Sequence, residues 1–392
     1  MEKMKDRIAV IGMGCTKFGE RWDKSANDLM VDACYEAFED AGVQPDQIQA
    51  AWVGTSSTGR TGRLLSTALK LEYIPVTRVE NACATSTDAF RNASFAVLSG
   101  VYDMVLVCGI EKLKDSGFAG NPPFLENITS EVEPASPPPT GFAFSATRYF
   151  HHYGLSFDEG KRLLAKIAVK NHHNGSMNPK AHFQREITIE QAIKAPMVAW
   201  PLGLLDCCGV SDGSAAAIVT TPEIANKYRK DYVLVKGFGL ACGAGQGTIR
   251  DDYDFVHFPE NVKAGQVAYA EAGITNPREE IDVAVVHDCF TITEMILYED
   301  LQFSPRGEAK KDIDSGFFEL TGGLPINTDG GLKCFGHPIG ASGLRMIYEI
   351  YKQLQGKCGP RQVKNAKLGL AHTLGGRPGS FTGAVSILGR RD

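Results

Sequence analysis

One stretch of this chain is written twice. Ala41-Gly42-Val43, a proline at 45 and the apolar run Ile48 to Gly54 recur as Ala272-Gly273-Ile274, a proline at 277 and the run Ile281 to His287, about one half-chain downstream. In each copy a glycine supplies the left-handed cap that ends a helix, and a strand follows a short turn. Ahead of each copy stands a glycine-rich strand exit, Val10-Ile11-Gly12-Met13-Gly14 and Val235-Lys236-Gly237-Phe238-Gly239. A single strand–helix unit cannot cover both faces of its own sheet, so the repeat implies two similar α/β halves packed on one another. The join is expected near residues 221–232, dividing the chain into an N-terminal half, 1–228, and a C-terminal half, 229–392.

Local signals agree with that division. Ser25 and Asp28 stand in capping-box order ahead of Leu29, Met30, Ala33, Cys34, Ala37, Phe38 and Ala41, one broad apolar helix face. Buried strands are predicted at Met104–Gly109, Ala215–Thr220, Leu368–Thr373 and Phe381–Leu388, and a helix at Ile339–Leu354. From about 111 to 205 the texture changes, marking an insertion in the first half. Its section Gly120 to Phe144 is rich in proline, including Pro137-Pro138-Pro139, and carries Phe118, Phe124, Phe142 and Phe144. Such a pattern reads as an ordered loop against an apolar surface.

With 392 residues the chain can bury a sizeable core without staples. A net charge of −5 and no long basic run argue against a nucleic-acid partner. The charged start, Met1 to Arg7, leads straight into a strand, and no apolar run is long enough to span a bilayer, so the expectation is a cytoplasmic chain with no membrane partner. None of the ten cysteines forms a Cys-x-x-Cys pair, so they are expected to be free thiols. His151-His152 and His172-His173 are adjacent pairs that point apart on a helix, and no metal is expected.

The chemistry concentrates in four places. Cys83 falls between the apolar stretch Ile74–Val79 and a helical stretch, Ala84–Leu98, at a strand-to-helix turn. The positive end of a helix lowers a thiol's pKa, so Cys83 is expected to be an activated nucleophile. His287 ends a strand in His287-Asp288-Cys289-Phe290, and His337 lies in Gly336-His337-Pro338-Ile339-Gly340 before a helix; either could serve as its base. The turn at Leu374-Gly375-Gly376 offers backbone N–H groups to an oxyanion.

Taken together, Asn-Ala-Cys-Ala at Cys83, His-Asp-Cys-Phe at His287, Gly-His-Pro at His337 and the closing Gly-Gly turn resemble the thiolases, in particular the sterol-carrier-protein-type and archaeal acetyl-CoA acetyltransferase branch. The resemblance spans nearly the whole chain. It implies the thiolase fold, two βαβαβαββ halves in a five-layered αβαβα arrangement with a loop insertion in the first half. It also implies roles: Cys83 acylated, His337 its base, His337 and His287 around the thioester oxygen of the second substrate, and the Cys83 and Gly375 N–H groups as the oxyanion hole. The implied reaction is thiolysis of a 3-ketoacyl-CoA or the reverse condensation, with coenzyme A as co-substrate and no permanently bound cofactor. Implied partners are a second copy, in a homodimer formed through the edge Val76–Val79, and a small OB-fold protein bearing a zinc ribbon. One such partner-dependent branch cleaves benzoylsuccinyl-CoA.

One departure stands out. The position of the family's second catalytic cysteine is Thr373, whose hydroxyl is a poor acid, so the enolate's proton must come from Cys289, Cys334, His287 or water. The missing cysteine also raises two alternatives: a partner-dependent retro-aldolase acting on a 3-hydroxyacyl-CoA, or a non-catalytic acyl-CoA or lipid-binding protein.

Overall fold

The computed structural model describes residues 4–114 and 137–391. Among the described residues eleven strands form: β1 (Ala9–Cys15), β2 (Ala50–Gly54), β3 (Val76–Val79), β4 (Met104–Glu111), β5 (Met197–Ala199), β6 (Leu202–Gly203), β7 (Gly213–Thr220), β8 (Val233–Cys242), β9 (Val283–Val285), β10 (Leu368–Arg377) and β11 (Ser380–Arg390). β5 and β6 pair only with each other, and the other nine run in the order β3-β2-β4-β7-β1-β8-β11-β10-β9.

That order is a palindrome about the β1–β8 seam, where only Ala9↔Leu234 and Val10↔Val233 pair. Outward from the seam, β1, β7, β4, β2 on one side correspond to β8, β11, β10, β9 on the other. β2 runs parallel to β4 as β9 runs parallel to β10. β3 extends the first half beyond β2; its counterpart is the single parallel bridge Ala284↔Ile326. The repeated text lies at matching points. Gly42 and Gly273 cap the helices Ala26–Ala41 and Pro259–Ala272 with φ of 71° and 76°, and β2 and β9 follow.

The paired glycines turn out to lie inside strands rather than at their exits. A Cβ at Gly12 or Gly14 would stand 2.4 Å from the Ala37 carbonyl oxygen and 2.0 Å from that of Ala33; at Gly237 and Gly239 the distances are 2.5 Å to Ala268 and 1.8 Å to Ala264. Glycine at i and i+2 clears one face of the strand, so the backbone of each outer helix lies directly on it. These two helices are the outer layers.

Between the two half-sheets lie the helices Thr85–Leu98 and Ser342–Leu354, each in contact with strands of both halves. Their first turns abut: Leu344 N–H donates to Ser86 Oγ at 3.1 Å, and a Cβ at Gly343 would stand 2.2 Å from Thr87 Oγ1. The result is the five-layered αβαβα stack expected from the resemblance. In the insertion, Pro137–Pro139 opens a helix, Pro138–His152, rather than continuing a loop, since proline fits a first helical turn whose N–H groups need no internal partner. Phe142 is buried against Phe290 and Phe381, with ring centroids 4.7 and 5.9 Å apart, whereas Phe144 is exposed. Phe118 and Phe124 lie outside the described residues.

Candidate active site

Because the two central helices begin face to face, the loops that feed them must meet. Cys83 lies two residues before Thr85 and His337 five before Ser342, and His337 Nε2 stands 3.2 Å from Cys83 Sγ. The cysteine turn is tightly made. Ala82 takes a left-handed φ of 48°, which costs a non-glycine residue on the order of 1 kcal/mol. Thr85 Oγ1 accepts from Asn81 N–H at 2.8 Å and donates to Ala82 O at 2.5 Å, and Asn81 Nδ2 donates to Asp88 at 2.7 Å, which together hold that conformation.

The histidine loop is held from the other side. Gly340 N–H donates to Glu111 Oε2 at 3.0 Å, and the same fully buried carboxylate accepts the N–H groups of Ser56, Ser57 and Thr58. Ser342 Oγ lies 2.8 Å from His337 Nδ1 and spends its proton on Pro338 O at 2.9 Å. The serine therefore accepts from Nδ1–H, which leaves the lone pair of Nε2 facing the thiol.

His287 enters from the end of β9, its ring 5.2 Å from that of His337 and nearly perpendicular to it. One donor atom each of Cys83, His287 and His337 lies within 4.8 Å of the others. His287 is 1 % exposed, and its Nδ1 is buried without a hydrogen-bond partner among the described residues. The next residue, Asp288, bonds across to the other histidine loop: its carboxylate accepts Lys333 N–H at 3.2 Å, Leu332 N–H and Asn171 Nδ2. A Cβ at Gly331 would stand 2.1 Å from Asp288 Oδ2, so glycine makes the crossing possible. Gly375 lies within β10, opposite Thr382, rather than at the hairpin tip; its Cβ position is 2.3 Å from Asn81 O and 3.0 Å from Cys83 N.

The electrostatics correct one expectation. Burial, with the Glu111 and Glu80 carboxylates, pushes the Cys83 thiol up to about 12, and burial with the Arg345 cation pushes His337 down to about 3. Desolvation opposes both charges and outweighs the helix end. Both shifts favour a neutral thiol beside a neutral imidazole. Alkylation of Cys83 by iodoacetamide, without substrate, is expected to quicken about tenfold per pH unit between about pH 7 and 9. A rate already level at neutral pH would instead mean a standing thiolate–imidazolium pair.

Thr373 and the cysteines named above as proton sources lie in separate places. Thr373 is buried and donates to Thr87 Oγ1 at 2.9 Å. Cys334 donates to Phe183 O at 2.8 Å. Cys289 is buried beside Thr293, with its thiol held well above the usual range by burial, then by Cys208 and Cys83. It is therefore a protonated group within electrostatic reach of Cys83.

A thiolase N-terminal domain family model matches residues 8–223, and a thiolase C-terminal domain-like model matches 243–390. The chain belongs to the thiolase family. An acetyl-CoA acetyltransferase of Methanothermobacter thermautotrophicus is 37% identical over 99% of this thiolase and 100% of the relative. The benzoylsuccinyl-CoA thiolase subunit BbsB of Thauera aromatica is 30% identical, covering 95% and 96%. Among solved structures the Ltp2-ChsH2(DUF35) aldolase superposes with a TM-score of 0.85 at 27% identity, covering 99% of each chain. The protein is thus an acyltransferase of the thiolase type. No helix among the described residues of this thiolase is long and apolar enough to cross a membrane. Of the residues that build its site, Ser342, Glu111 and Asp288 escaped the sequence reading as participants. Each acts through a partner far along the chain or through a loop whose shape only folding fixes; for Ser342 alone, five residues past His337 at a helix start, a local signal existed.

Proposed function

We propose that this thiolase cleaves a 3-ketoacyl-CoA through a thioester on Cys83, or runs the reverse condensation, with coenzyme A as the second substrate. The observation that carries the reading is the 3.2 Å approach of His337 Nε2 to Cys83 Sγ. As sulfur attacks the keto carbon, His337 takes the thiol proton. The N–H groups of Cys83 and Gly375 receive the developing oxyanion. The C2–C3 bond then breaks, leaving the acyl group on sulfur and an acyl-CoA enolate, which Cys289 protonates at C2. The thiol of CoA gives its proton to the Cys289 thiolate and attacks the thioester, expelling Cys83 as a thiolate that takes its proton back from His337. His287 and His337 hold the thioester oxygen of the CoA substrate.

Phe290, one residue beyond Cys289, packs at a tilt against Phe142, and this pair favours an apolar or aromatic acyl group such as that of benzoylsuccinyl-CoA. The retro-aldolase is the second reading, favoured by the solved aldolase neighbour; it has no use for the Cys83–His337 contact. That neighbour carries a second component, ChsH2(DUF35), in its name, which supports a partner protein here, in keeping with the OB-fold zinc-ribbon protein that the resemblance implies. A homodimer would form along β3, the outer edge of the sheet, in the cytoplasm. Sedimentation at micromolar concentration should then give twice the chain mass.

The test is intact mass after incubation with a 3-ketoacyl-CoA and the partner component. The expected result is one acyl adduct, mapped to Cys83; turnover with no adduct at any time would overturn the thiolase route.

A further inference from the structure

We propose that Cys83, His287 and His337 form a capture site for a soft divalent cation, with Zn²⁺ as the fitting ion, whose occupation excludes acylation. The donor set is one sulfur and two imidazoles, a combination suited to zinc. Their donor atoms lie within 4.8 Å of one another, and Cys83 Sγ and His337 Nε2 are 3.2 Å apart. A tetrahedral zinc with Zn–S near 2.3 Å and Zn–N near 2.0–2.1 Å needs donors about 3.3–3.6 Å apart. Small side-chain rotations meet that spacing.

Two further observations point to a ligand here. His287 is buried, and no hydrogen bond to any described residue uses its ring, so the nitrogen it offers to the cluster is free to take a ligand. His337 is already arranged as metal-bound imidazoles are. Its far nitrogen is held by Ser342 Oγ at 2.8 Å, which fixes the tautomer and aims the Nε2 lone pair at the cluster. Three protein ligands leave the fourth position of a tetrahedral ion for water.

Binding forms one Zn–S and two Zn–N bonds and releases the Cys83 thiol proton to solvent, with no change in oxidation state. The metal takes the sulfur lone pair that acyl transfer needs. The protein would therefore be reversibly inhibited by zinc, one ion per chain, and the acyl-enzyme would not bind it.

The experiment uses the full chain stripped with a chelator and titrated with Co²⁺ as a spectroscopic stand-in, then with Zn²⁺. Expected are a near-ultraviolet thiolate-to-cobalt charge-transfer band that saturates at one equivalent, displacement of that band by Zn²⁺, and its absence in Cys83→Ser. His287→Ala should weaken binding by at least the ~10-fold that loss of even an outer partner costs. Prior acylation of the unmutated protein should also abolish the band, an arm that needs no variant to fold. No charge-transfer band, or zinc binding unchanged by Cys83→Ser or by acylation, would overturn the site. Neither result touches the thiolase reading, which stands on the acyl adduct.

Discussion

Replacing Cys83 with alanine is expected to remove the acyl adduct and lower kcat for thiolysis by at least about 10⁴-fold, the loss seen when a covalent nucleophile is deleted. The fold should persist. Cys83 Sγ bonds only to His337 among the described residues, and the turn around it is held by Thr85, Asn81 and Asp88 rather than by the thiol. Circular dichroism and gel filtration should match the unmutated protein. The variant also separates the two chemistries. A retro-aldolase forms an enolate by removing a proton from the 3-hydroxyl and needs no sulfur. Full cleavage of a 3-hydroxyacyl-CoA by Cys83→Ala, with no thiolysis by the unmutated protein, would replace the thiolase reading with the aldolase one.

Gly375→Ala is expected to cost about 10²–10³ in kcat, the range for a lost oxyanion donor. The added methyl carbon would stand 2.3 Å from Asn81 O, a backbone atom in a turn that already carries the left-handed Ala82. It cannot rotate away as a side chain could. Either β10 or the cysteine turn must move, and either movement separates the Gly375 and Cys83 N–H groups. Overpacking of this kind also destabilises by about 1–3 kcal/mol. The measurement is kcat in thiolysis beside a thermal melt. A kcat within a few-fold of the unmutated value would show that Gly375 is needed only for packing.

How much of this could be read beforehand differs by level. The duplicated helix end, turn and strand announced two similar halves, because a glycine in the left-handed cap and an apolar run are local requirements that a chain must spell out. Their consequence in the sheet, the palindrome about β1 and β8, follows from packing two such halves. The four motifs likewise named Cys83, His287, His337 and Gly375. The Gly-x-Gly pairs were seen but misplaced, since their reason, a helix backbone lying on the strand, sits 19 to 31 residues away.

The residues alone determined the repeat and the motifs around Cys83, His287, His337 and Gly375, while the threonine at 373 in place of a second cysteine was legible only through the resemblance to the thiolases. Tertiary structure alone decided how those groups behave. It set the N-termini of the two central helices against each other, and so brought a thiol and an imidazole 254 positions apart to 3.2 Å. It also enclosed them, and the cost of burying charge outweighs the helix end that the sequence reading relied on. Proton state depends on solvent, neighbours and depth, none of which is a property of a residue type, so the neutral Cys83–His337 pair could be learned only from the fold.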